Sequence, residues 1–513
     1  MTDETKQFEY NAVLAKNRRQ APRTTVTAEA VQLPASKRRT LVATAQDQQR
    51  NLSLLAWMIR MHLDYVSAFK MTFRSGNDAL DNLVDRIFHW HAVPENFDVA
   101  GRLGREEGFR LLESEKTVAG DALFIKIDSM KKLQAVESDM IAYPKDGAMR
   151  GTLPKKVIER VLKNDGVTVS KKYPGRIEDF CICNRGDNGK KVVYDHLEPR
   201  ENCIFDGYFT RFASQIRGVS PLSSALNSVQ DVCEAVEWNM LKAKAHAIFG
   251  LAIMRDYYGS DNATEENASW GYASGVGEGA LTTSDGGTPE TVTQSISSSL
   301  QDMNPDQMMI LDMDTKGKID VIESATPSNE FQDFISLMAR LILLALDIPY
   351  SSYDSKGTTF AGRIADTNLY EVSTRIKREK NKWKRQEYSN WLLMLMWNDP
   401  NDEFNLRAVA NAAGYTRLRD IQEKVEWVSY GIPWLQKLNE IQGDIRAIEA
   451  GLDNPIDVCA RRGKNFFDNI DKIAAANQYA KDKNVSIFMG SPGSRTIVEV
   501  DNAENDGDED APV

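Results

Sequence analysis

The sequence predicts an α+β protein that is mainly helical. Long stretches place apolar residues at spacings of three and four, which is typical of amphipathic helices. Short β-branched or aromatic segments, bounded by Gly, Asp, Asn or Pro, concentrate before residue 219. At 513 residues the chain is long for one compact core, so we expect roughly two to four domains.

The composition excludes several classes of protein. Apolar residues make up 42% of the chain and charged residues 27%, which is ordinary for a folded globular protein. No apolar run approaches the roughly 20 residues that cross a bilayer, and the N-terminus lacks a signal-peptide core. We therefore expect folding in a cytosol and no membrane partner. Five scattered cysteines do not predict a disulfide framework.

Charge is distributed unevenly along the chain. The formal net charge of −11 taken alone argues against a nucleic-acid partner, but an average says nothing about local patches. The first forty residues carry eight basic and four acidic residues, whereas the last thirteen carry six acidic and no basic ones. Because both ends are poor in large apolar residues, we predict a disordered basic arm over 1–40 and a disordered acidic tail over 484–513.

The first part of the chain combines helices and strands. Apolar spacing predicts helices over Thr40–Val66, Asp78–His91 and Ala100–Ser114. Short strand-like segments follow, and this α+β region ends at residue 219. The predicted strands are Thr117–Asp128, Leu133–Ser138, Ile177–Cys183, Lys191–Asp195 and Asn202–Phe212.

A long helix is predicted from Ser220 to about Phe249. Ser220 and Pro221 form a favourable start, a hydroxyl cap followed by proline at the first helical position. An apolar seam then steps by alternating fours and threes, which predicts packing along a neighbouring helix. The seam residues are Leu222, Leu226, Val229, Cys233, Val236, Met240, Ala243 and Ala247.

A second long helix is predicted over Ser328–Asp347. Its apolar residues leave little polar face, which predicts burial among other helices. The segment between the two helices has a different character. It contains a Gly/Ser/Thr-rich loop, Gly271–Pro289, and two short predicted strands, Met308–Met313 and Lys318–Ile322.

A third helix, Arg363–Trp397, is roughly 50 Å long and is broken by Asp399-Pro400. Shorter helices are predicted after it. One follows the stripe Leu418, Ile421, Val425 and Val428, the next follows Leu438, Ile441, Ile445 and Ile448, and the last covers Asn465–Asp482.

The third long helix carries the densest positive charge. In an acidic protein this cluster is a candidate for contact with phosphate or with an acidic partner surface, although a solvated helix face explains any single lysine equally well. It has no base-reading pattern, so a DNA contact there would be to the backbone. The cluster comprises Arg375, Lys377, Arg378, Lys380, Lys382, Lys384 and Arg385.

Motifs for catalysis or metal binding are weak. Cys181, Cys183, His196 and Cys203 do not match a common zinc spacing, and cysteines on strand-like segments are ordinarily buried apolar groups. Gly275–Gly279 lacks the strand and helix that flank a phosphate-binding loop. Neither a P-loop nor a nucleophile elbow is present. We therefore predict no enzymatic activity, no cofactor and no metal.

Several local strings are distinctive. The most specific is Phe212–Leu226 (FASQIRGVSPLSSAL), which reads Q-x-R-G-x-[SP]-x-L ahead of the first long helix. Others are Asp47–Asn51 (DQQRN), Val118–Asp121 (VAGD), Trp397–Leu406 (WNDPNDEFNL) and Gly451–Lys481. In these strings and in the order of its elements, from about Leu41 to Val485, the chain resembles the lambda-like portal proteins of tailed bacteriophages. It departs from them at Cys203, where a histidine is common, and in the loop Gly271–Pro289.

The resemblance implies a portal fold assembled as a ring. It places the wing at 41–219, the first stem helix at 220–249, the clip at 250–327 and the second stem helix at 328–347. The tunnel-loop region is then 348–362, the long wing helix and its return are 363–415, and the crown is 416–483.

The resemblance also implies a function. A portal is a DNA channel at one capsid vertex of the virion that serves head-assembly nucleation, genome packaging, head–tail joining and ejection. The implied partners are identical subunits in a dodecamer, double-stranded DNA without sequence preference, the terminase large subunit, the major capsid protein and scaffold, and a head–tail adaptor. Such a protein is made in the host cytoplasm.

Within this layout the channel candidates carry little charge. They are Lys316 and Lys318 in the clip and the tunnel-loop residues Lys356, Gly357, Thr358, Thr359 and Phe360. A duplex must slide through the channel, and roughly six to ten phosphate contacts already bind DNA strongly. Two alternatives stay open, a head scaffold or adaptor that is not a portal and a DNA-processing enzyme. Rings in electron micrographs would separate the portal from both.

Overall fold

We describe the protein from a computed structural model. The described residues are 33–144, 152–173, 175–185, 192–209, 212–213, 215–254, 309–313, 319–320, 329–354, 356, 358–399, 404–430 and 437–483. The predicted acidic tail, the loop Gly271–Pro289 and most of the predicted basic arm lie outside the described residues. No described helix is both long enough and apolar enough to cross a membrane.

The described part of the chain begins with two helices where the sequence predicts one. Leu52 adopts an extended backbone (φ −115°, ψ 111°) between them, so that each helix packs its own apolar face. The first helices and strand are α1 Ala35–Asn51, α2 Ser53–Val66, β1 Phe69–Phe73, α3 Asp78–Trp90, α4 Pro94–Phe97 and α5 Arg105–Ala119.

Helix α5 lies about one turn later than predicted. The carboxylate of Glu107 accepts a hydrogen bond from the backbone of Gly104 (3.1 Å) and fixes the N-terminus there. The helix ends at Gly120, whose φ of 102° is open to glycine and strained for other residues. The predicted strand start at Thr117 is therefore wrong, because residues 117–119 complete the helix.

Two antiparallel three-stranded sheets follow α5. In the first, β2 Asp121–Ile127 lies between β3 Lys132–Val136 and β7 Cys203–Gly207. Helix α6 Lys155–Lys163 precedes the second sheet, in which β5 Ile177–Arg185 lies between β4 Val167–Val169 and β6 Val192–Pro199. The strand predicted over Asn202–Phe212 ends earlier, at Gly207.

The long helices are close to prediction. After a 3-10 turn, Pro221–Ser224, helix α7 spans Leu226–Ile248, and α8 spans Asn329–Leu343. Between them lies a sheet in which β8 Phe249–Met254 pairs in parallel with β9 Met309–Met313 and antiparallel with β10 Ile319–Asp320. The later elements are α9 Phe360–Asn398, α10 Leu406–Ala412, α11 Leu418–Gln422, β11 Val425–Ser429, α12 Lys437–Glu449, α13 Pro455–Arg461 and α14 Phe466–Asp482.

One predicted helical stripe is partly a strand. Leu418 and Ile421 lie on α11, but Val425 and Val428 belong to β11, which pairs antiparallel with β1. The residues Val425, Glu426 and Trp427 also alternate between apolar and polar, the period of two that favours a strand. β1, more than 350 residues away in the chain, supplies the hydrogen-bonding partner, and Trp427 is then buried.

Helix α9 connects the two main hydrophobic cores. Near its start, Tyr370 packs into a core built from α1, α2 and the facing ends of α7 and α8. About three turns before its end, Tyr388 enters a second core with α3, α5 and β11. The helix thus bridges the α+β domain and the base of the α7–α8 pair.

Candidate functional site

Two distinctive strings of the sequence meet where the α+β domain ends and the path to α7 begins. Gly120 and Gly218 bring their backbones into direct contact, and a Cβ on either glycine would overlap the carbonyl of the other. Only glycine fits at these positions. We call this contact, together with Asp121 and Arg217, the junction.

The Arg217 guanidinium is buried in the junction and fully engaged. Its Nε donates to Asp121 Oδ2 at 2.7 Å and its Nη2 to Asp121 Oδ1 at 3.0 Å. Further hydrogen bonds reach the carbonyls of Ile141 (2.8 Å) and Ser138 (3.0 Å). Burial alone would raise the pKa of Asp121, but Arg217 outweighs it and holds that pKa below its usual value. The pair therefore stays ionised inside the protein.

Helix α1 extends this network. Arg38 donates from Nε to Asp165 (2.5 Å) and from Nη1 to the hydroxyl of Ser138 (3.1 Å). Asp165 also lies 3.9 Å from Arg217. Burial raises the pKa of Asp165, and the two guanidinium groups more than reverse this. Two cations and two anions thus join α1, both sheets and the segment leading to α7.

The start of the first long helix is held by its cap. Ser220 Oγ accepts a hydrogen bond from the backbone of Leu222 (3.1 Å) and donates one to the carbonyl of Thr117 (2.7 Å). Pro221 occupies the first turn, as predicted. The direction in which α7 leaves the domain is therefore set by α5 and the junction.

The predicted apolar seam of α7 is buried only in its first half. Leu222, Leu226 and Val229 are buried against α1, α2 and α8. Farther along, Val236 is 37% exposed and Met240 is 55% exposed, and Trp238 beside them is 71% exposed. The seam continues beyond the surface that one chain provides.

Helix α8 shows the same division across its width. Ala339, Ile342 and Leu343 face the core and are buried. The opposite face presents large apolar side chains to solvent, although the sequence predicts burial nearly all round. These are Phe334, Leu337 and Leu341 of the helix and Leu344 directly after it.

The predicted tunnel-loop residues lie directly before α9. Lys356 is exposed, and its backbone N–H donates to Asp354 Oδ1 at 2.9 Å. Thr359 caps α9 by accepting from the backbone of Gly362 (3.2 Å). Phe360 begins the helix, and the Arg363 guanidinium lies 5.6 Å from its ring centre. Thr358 is half-buried, whereas Gly357 and the clip candidates Lys316 and Lys318 lie outside the described residues.

Two members of the basic run on α9 are core residues. Lys384 is buried with Glu113, Lys116 and Asp206 in a cluster of two cations and two anions. The Arg385 guanidinium lies 4.4 Å from the centre of the Phe109 ring. Burial lowers the pKa of Arg385 to about 10. Neither side chain can reach DNA, because both are enclosed by the α+β domain.

The rest of the run is more accessible but largely paired. Lys377 lies 3.2 Å from Asp347, and Arg378 lies 3.3 Å from Glu371. Lys382 lies 3.9 Å from Glu426. Arg375 is exposed and Lys380 is half-buried. The run is therefore not one continuous cationic surface.

The cysteine candidates separate into two clusters. Cys181 and Cys183 are buried together with their sulfurs 4.0 Å apart, whereas Cys203 packs into a different cluster. His196 is partly exposed and bonded to Asp195 and Glu198. Within the described ranges, no group of three or more His, Cys, Asp or Glu side chains is placed to hold a metal ion.

Sequence reasoning missed the pairing of the two distinctive strings and the exposed face of α7. Asp121 and Arg217 are 96 residues apart, so no local pattern connects them. For Trp238 a signal was present, since it stands outside the predicted seam, between Glu237 and Asn239.

One comparison identifies a family model that matches this chain. The model is described as phage portal protein, lambda family, and it matches residues 16–361. This range contains the junction, α7 and α8, and ends as α9 begins. Among curated proteins no match is found.

Solved structures with a similar fold include two gene transfer agent (GTA) assemblies. One is the virion of a native GTA particle and the other is the neck of a native GTA particle computed with C12 symmetry. Each matched chain is 14% identical in sequence and is aligned with a TM-score of 0.40. Each alignment covers 83% of this chain and 93% of the solved chain.

Proposed function

The chain belongs to the lambda family of phage portal proteins, and we propose that it forms a ring around a DNA channel at one vertex of the capsid. The ring nucleates head assembly with the major capsid protein and scaffold, and docks the terminase large subunit during packaging. It then binds the head–tail adaptor and releases DNA at ejection. The match of the family model to residues 16–361 carries this proposal.

The stem supports assembly into a ring. Helix α7 buries the first half of its apolar seam within the chain and exposes the second half, and α8 buries one apolar face and exposes another. Contiguous exposed apolar surface on a folded protein is typical of an interaction site. A cyclic, head-to-tail assembly covers such faces with the next subunit, and we propose the dodecamer of the resembled family.

We assign the parts of the portal as follows. Residues 41–219 form the wing, α7 and α8 the stem, and residues 250–327 the clip. Residues 348–362 form the tunnel-loop region, and α9 is the long wing helix. Because β11 pairs with β1 and Trp427 is buried in the wing core, we place the start of the crown at α12 rather than at residue 416.

DNA contacts in this proposal are few and do not depend on sequence. Lys356 is exposed in the loop before α9, and Lys316 and Lys318 are proposed for the clip. One lysine per subunit becomes a belt when it is repeated around a ring. A sparse belt meets the phosphates without binding the duplex strongly enough to stop it.

Electron microscopy of the purified chain tests the proposal. We expect closed rings with a central hole wide enough for duplex DNA, and no cleavage of DNA or turnover of nucleotide in parallel assays. A uniform monomer without a channel would instead favour a scaffold or adaptor. Nuclease or nucleotide hydrolase activity of that monomer would favour a processing enzyme.

A second experiment tests the assigned DNA path. Substitution Lys356→Ala removes one positive belt, and we expect at least about a twofold drop in full-length genomes packaged per head. Lys155→Ala, an exposed lysine of the wing, is the matched control. Normal packaging by the Lys356 variant would remove this residue from the path.

A further inference from the structure

The two stem helices run antiparallel, which sets residues of one level with residues of the other. The turn Pro221–Ser224 contacts Leu344–Leu346 at the base, and Val232 and Ile342 line one groove. Because both helices rise about 1.5 Å per residue, a step up α7 corresponds to a step back along α8. The same groove is lined by α7 residues from Val229 to Glu237, so Met240 and Lys244, farther up α7, lie toward the end of α8 that carries Phe334 and Glu330.

The exposed face of α7 changes its charge with height. Glu237, Met240 and Lys244 are spaced by three and four, so they lie on one face, and all three are exposed. This face is acidic nearer the base, apolar in the middle and basic at the far end.

The exposed face of α8 has the opposite order. Arg340 lies nearest the base, Leu337 and Phe334 form an apolar middle, and Asp333 and Glu330 lie at the far end. These residues share one face by their spacing. From the base upward, the face of α8 is therefore basic, apolar and acidic, whereas the face of α7 is acidic, apolar and basic.

Rotation about a ring axis keeps every residue at its own height. The α7 face of one copy thus meets the α8 face of the next copy at matching levels. We propose that the upper half of α7 packs on α8 of the neighbouring subunit. Its register is set by Lys244 against Glu330 and Asp333, by Met240 against Phe334 and Leu337, and by Glu237 against Arg340. This inference rests on the ring proposed above and names its stem interface.

A charge-reversal pair tests this register. Lys244→Glu places like charges in every contact of the ring, and we expect the fraction of chain in rings to fall about tenfold at low salt. The loss should shrink at 1 M salt, where charges beyond roughly 3 Å are screened. Adding Glu330→Lys and Asp333→Lys in the same chain should restore rings, as counted by electron microscopy and sedimentation.

Controls separate the possible outcomes. Lys155→Glu makes the same charge change on the wing and should leave ring formation unaltered. If Glu237→Lys rescues Lys244→Glu and the α8 substitutions do not, two α7 helices pair with each other and the inference is wrong. Unchanged rings in Lys244→Glu also overturn it, although the portal function then stands. Absence of rings in the unsubstituted chain overturns the proposed function itself.

Discussion

The junction and the proposed stem differ in how their side chains are partnered. In the junction, Arg217 and Asp121 are buried and bonded to each other and to backbone carbonyls of the same chain. In the stem, Trp238 and Leu344 are 71% and 65% exposed. The junction is completed by the chain itself, whereas α7 and α8 leave an apolar surface that the proposed ring would cover.

The difference has a physical cause. A buried charge without a partner costs several kcal/mol, so its partners must be present when the chain folds. An exposed apolar side chain forgoes at most about 1.5–3 kcal/mol of burial, which a folded monomer tolerates and an assembly recovers. Folding of the α+β domain and the proposed ring assembly should therefore be separable, and three predictions test this comparison, from the largest expected effect to the smallest.

Substitution Asp121→Asn removes the carboxylate bonded to Arg217 and leaves Asp165 as the remaining anion for two buried guanidinium groups, those of Arg38 and Arg217. We expect the free energy of unfolding to fall by about 3–5 kcal/mol, measured by urea denaturation of the monomer. The comparison is Asp347→Asn, which breaks a pair with Lys377 in which the Asp347 side chain is 52% exposed. That change should cost no more than about 1 kcal/mol. Equal losses in the two variants would show that the buried Asp121–Arg217 pair contributes no more to stability than the exposed Asp347–Lys377 pair.

The buried His91 makes wing stability depend on pH. Desolvation by burial lowers the pKa of His91 to about 4, and Tyr388 and the carbonyl of Lys131 hold the neutral ring. Below the unfolded pKa of about 6.5 the unfolded state takes up the proton first, so stability falls with falling pH. Between pH 7.5 and pH 5, His91 therefore lowers the free energy of unfolding by about 2 kcal/mol.

Unfolding curves at both pH values check this prediction. His91→Gln removes the titrating ring. Between pH 7.5 and pH 5 the free energy of unfolding of this variant should fall by about 2 kcal/mol less than that of the unsubstituted chain. Identical pH dependence in the two proteins would contradict it.

The smallest expected change in monomer stability is that of a substitution on the exposed face of α8, and the next residue along the helix provides the control. Leu341 is 49% exposed and Ile342 is fully buried. Leu341→Ser should change monomer stability by no more than about 0.5 kcal/mol while weakening ring formation. Ile342→Ala should cost about 2–5 kcal/mol of monomer stability. The two variants are compared by urea denaturation at concentrations where the chain is monomeric, and a large loss in Leu341→Ser would place that face inside the subunit.

Most long helices were predictable because their periodicity is repeated many times. The predictions for α8 and α9 are confirmed to within four residues at their ends, and α7 begins at Leu226, six residues after the predicted start and beyond a 3-10 turn. Short elements were less predictable, because a few residues fit two periods. Val425 and Val428 fit a helical stripe, whereas Val425 and Trp427 fit an alternating strand, and pairing with β1 decides between the two.

The candidate site also contains features that local sequence predicts and features that it does not. Ser220 and Pro221 predict the start of the stem from local capping chemistry alone. The burial of Lys384 and Arg385 was not predictable, because their enclosing partners Glu113, Asp206 and Phe109 come from distant segments.

By itself the sequence determined the order of helices, the glycines and charges of the two distinctive strings, and the family to which they belong. These depend on local spacing and on residue chemistry that any conformation of the chain retains. Only the tertiary structure decided that Arg217 pairs with Asp121, that Lys384 is a core residue, and which face of α8 is left open. Those outcomes depend on which distant surfaces come into contact, and only the packed chain specifies them.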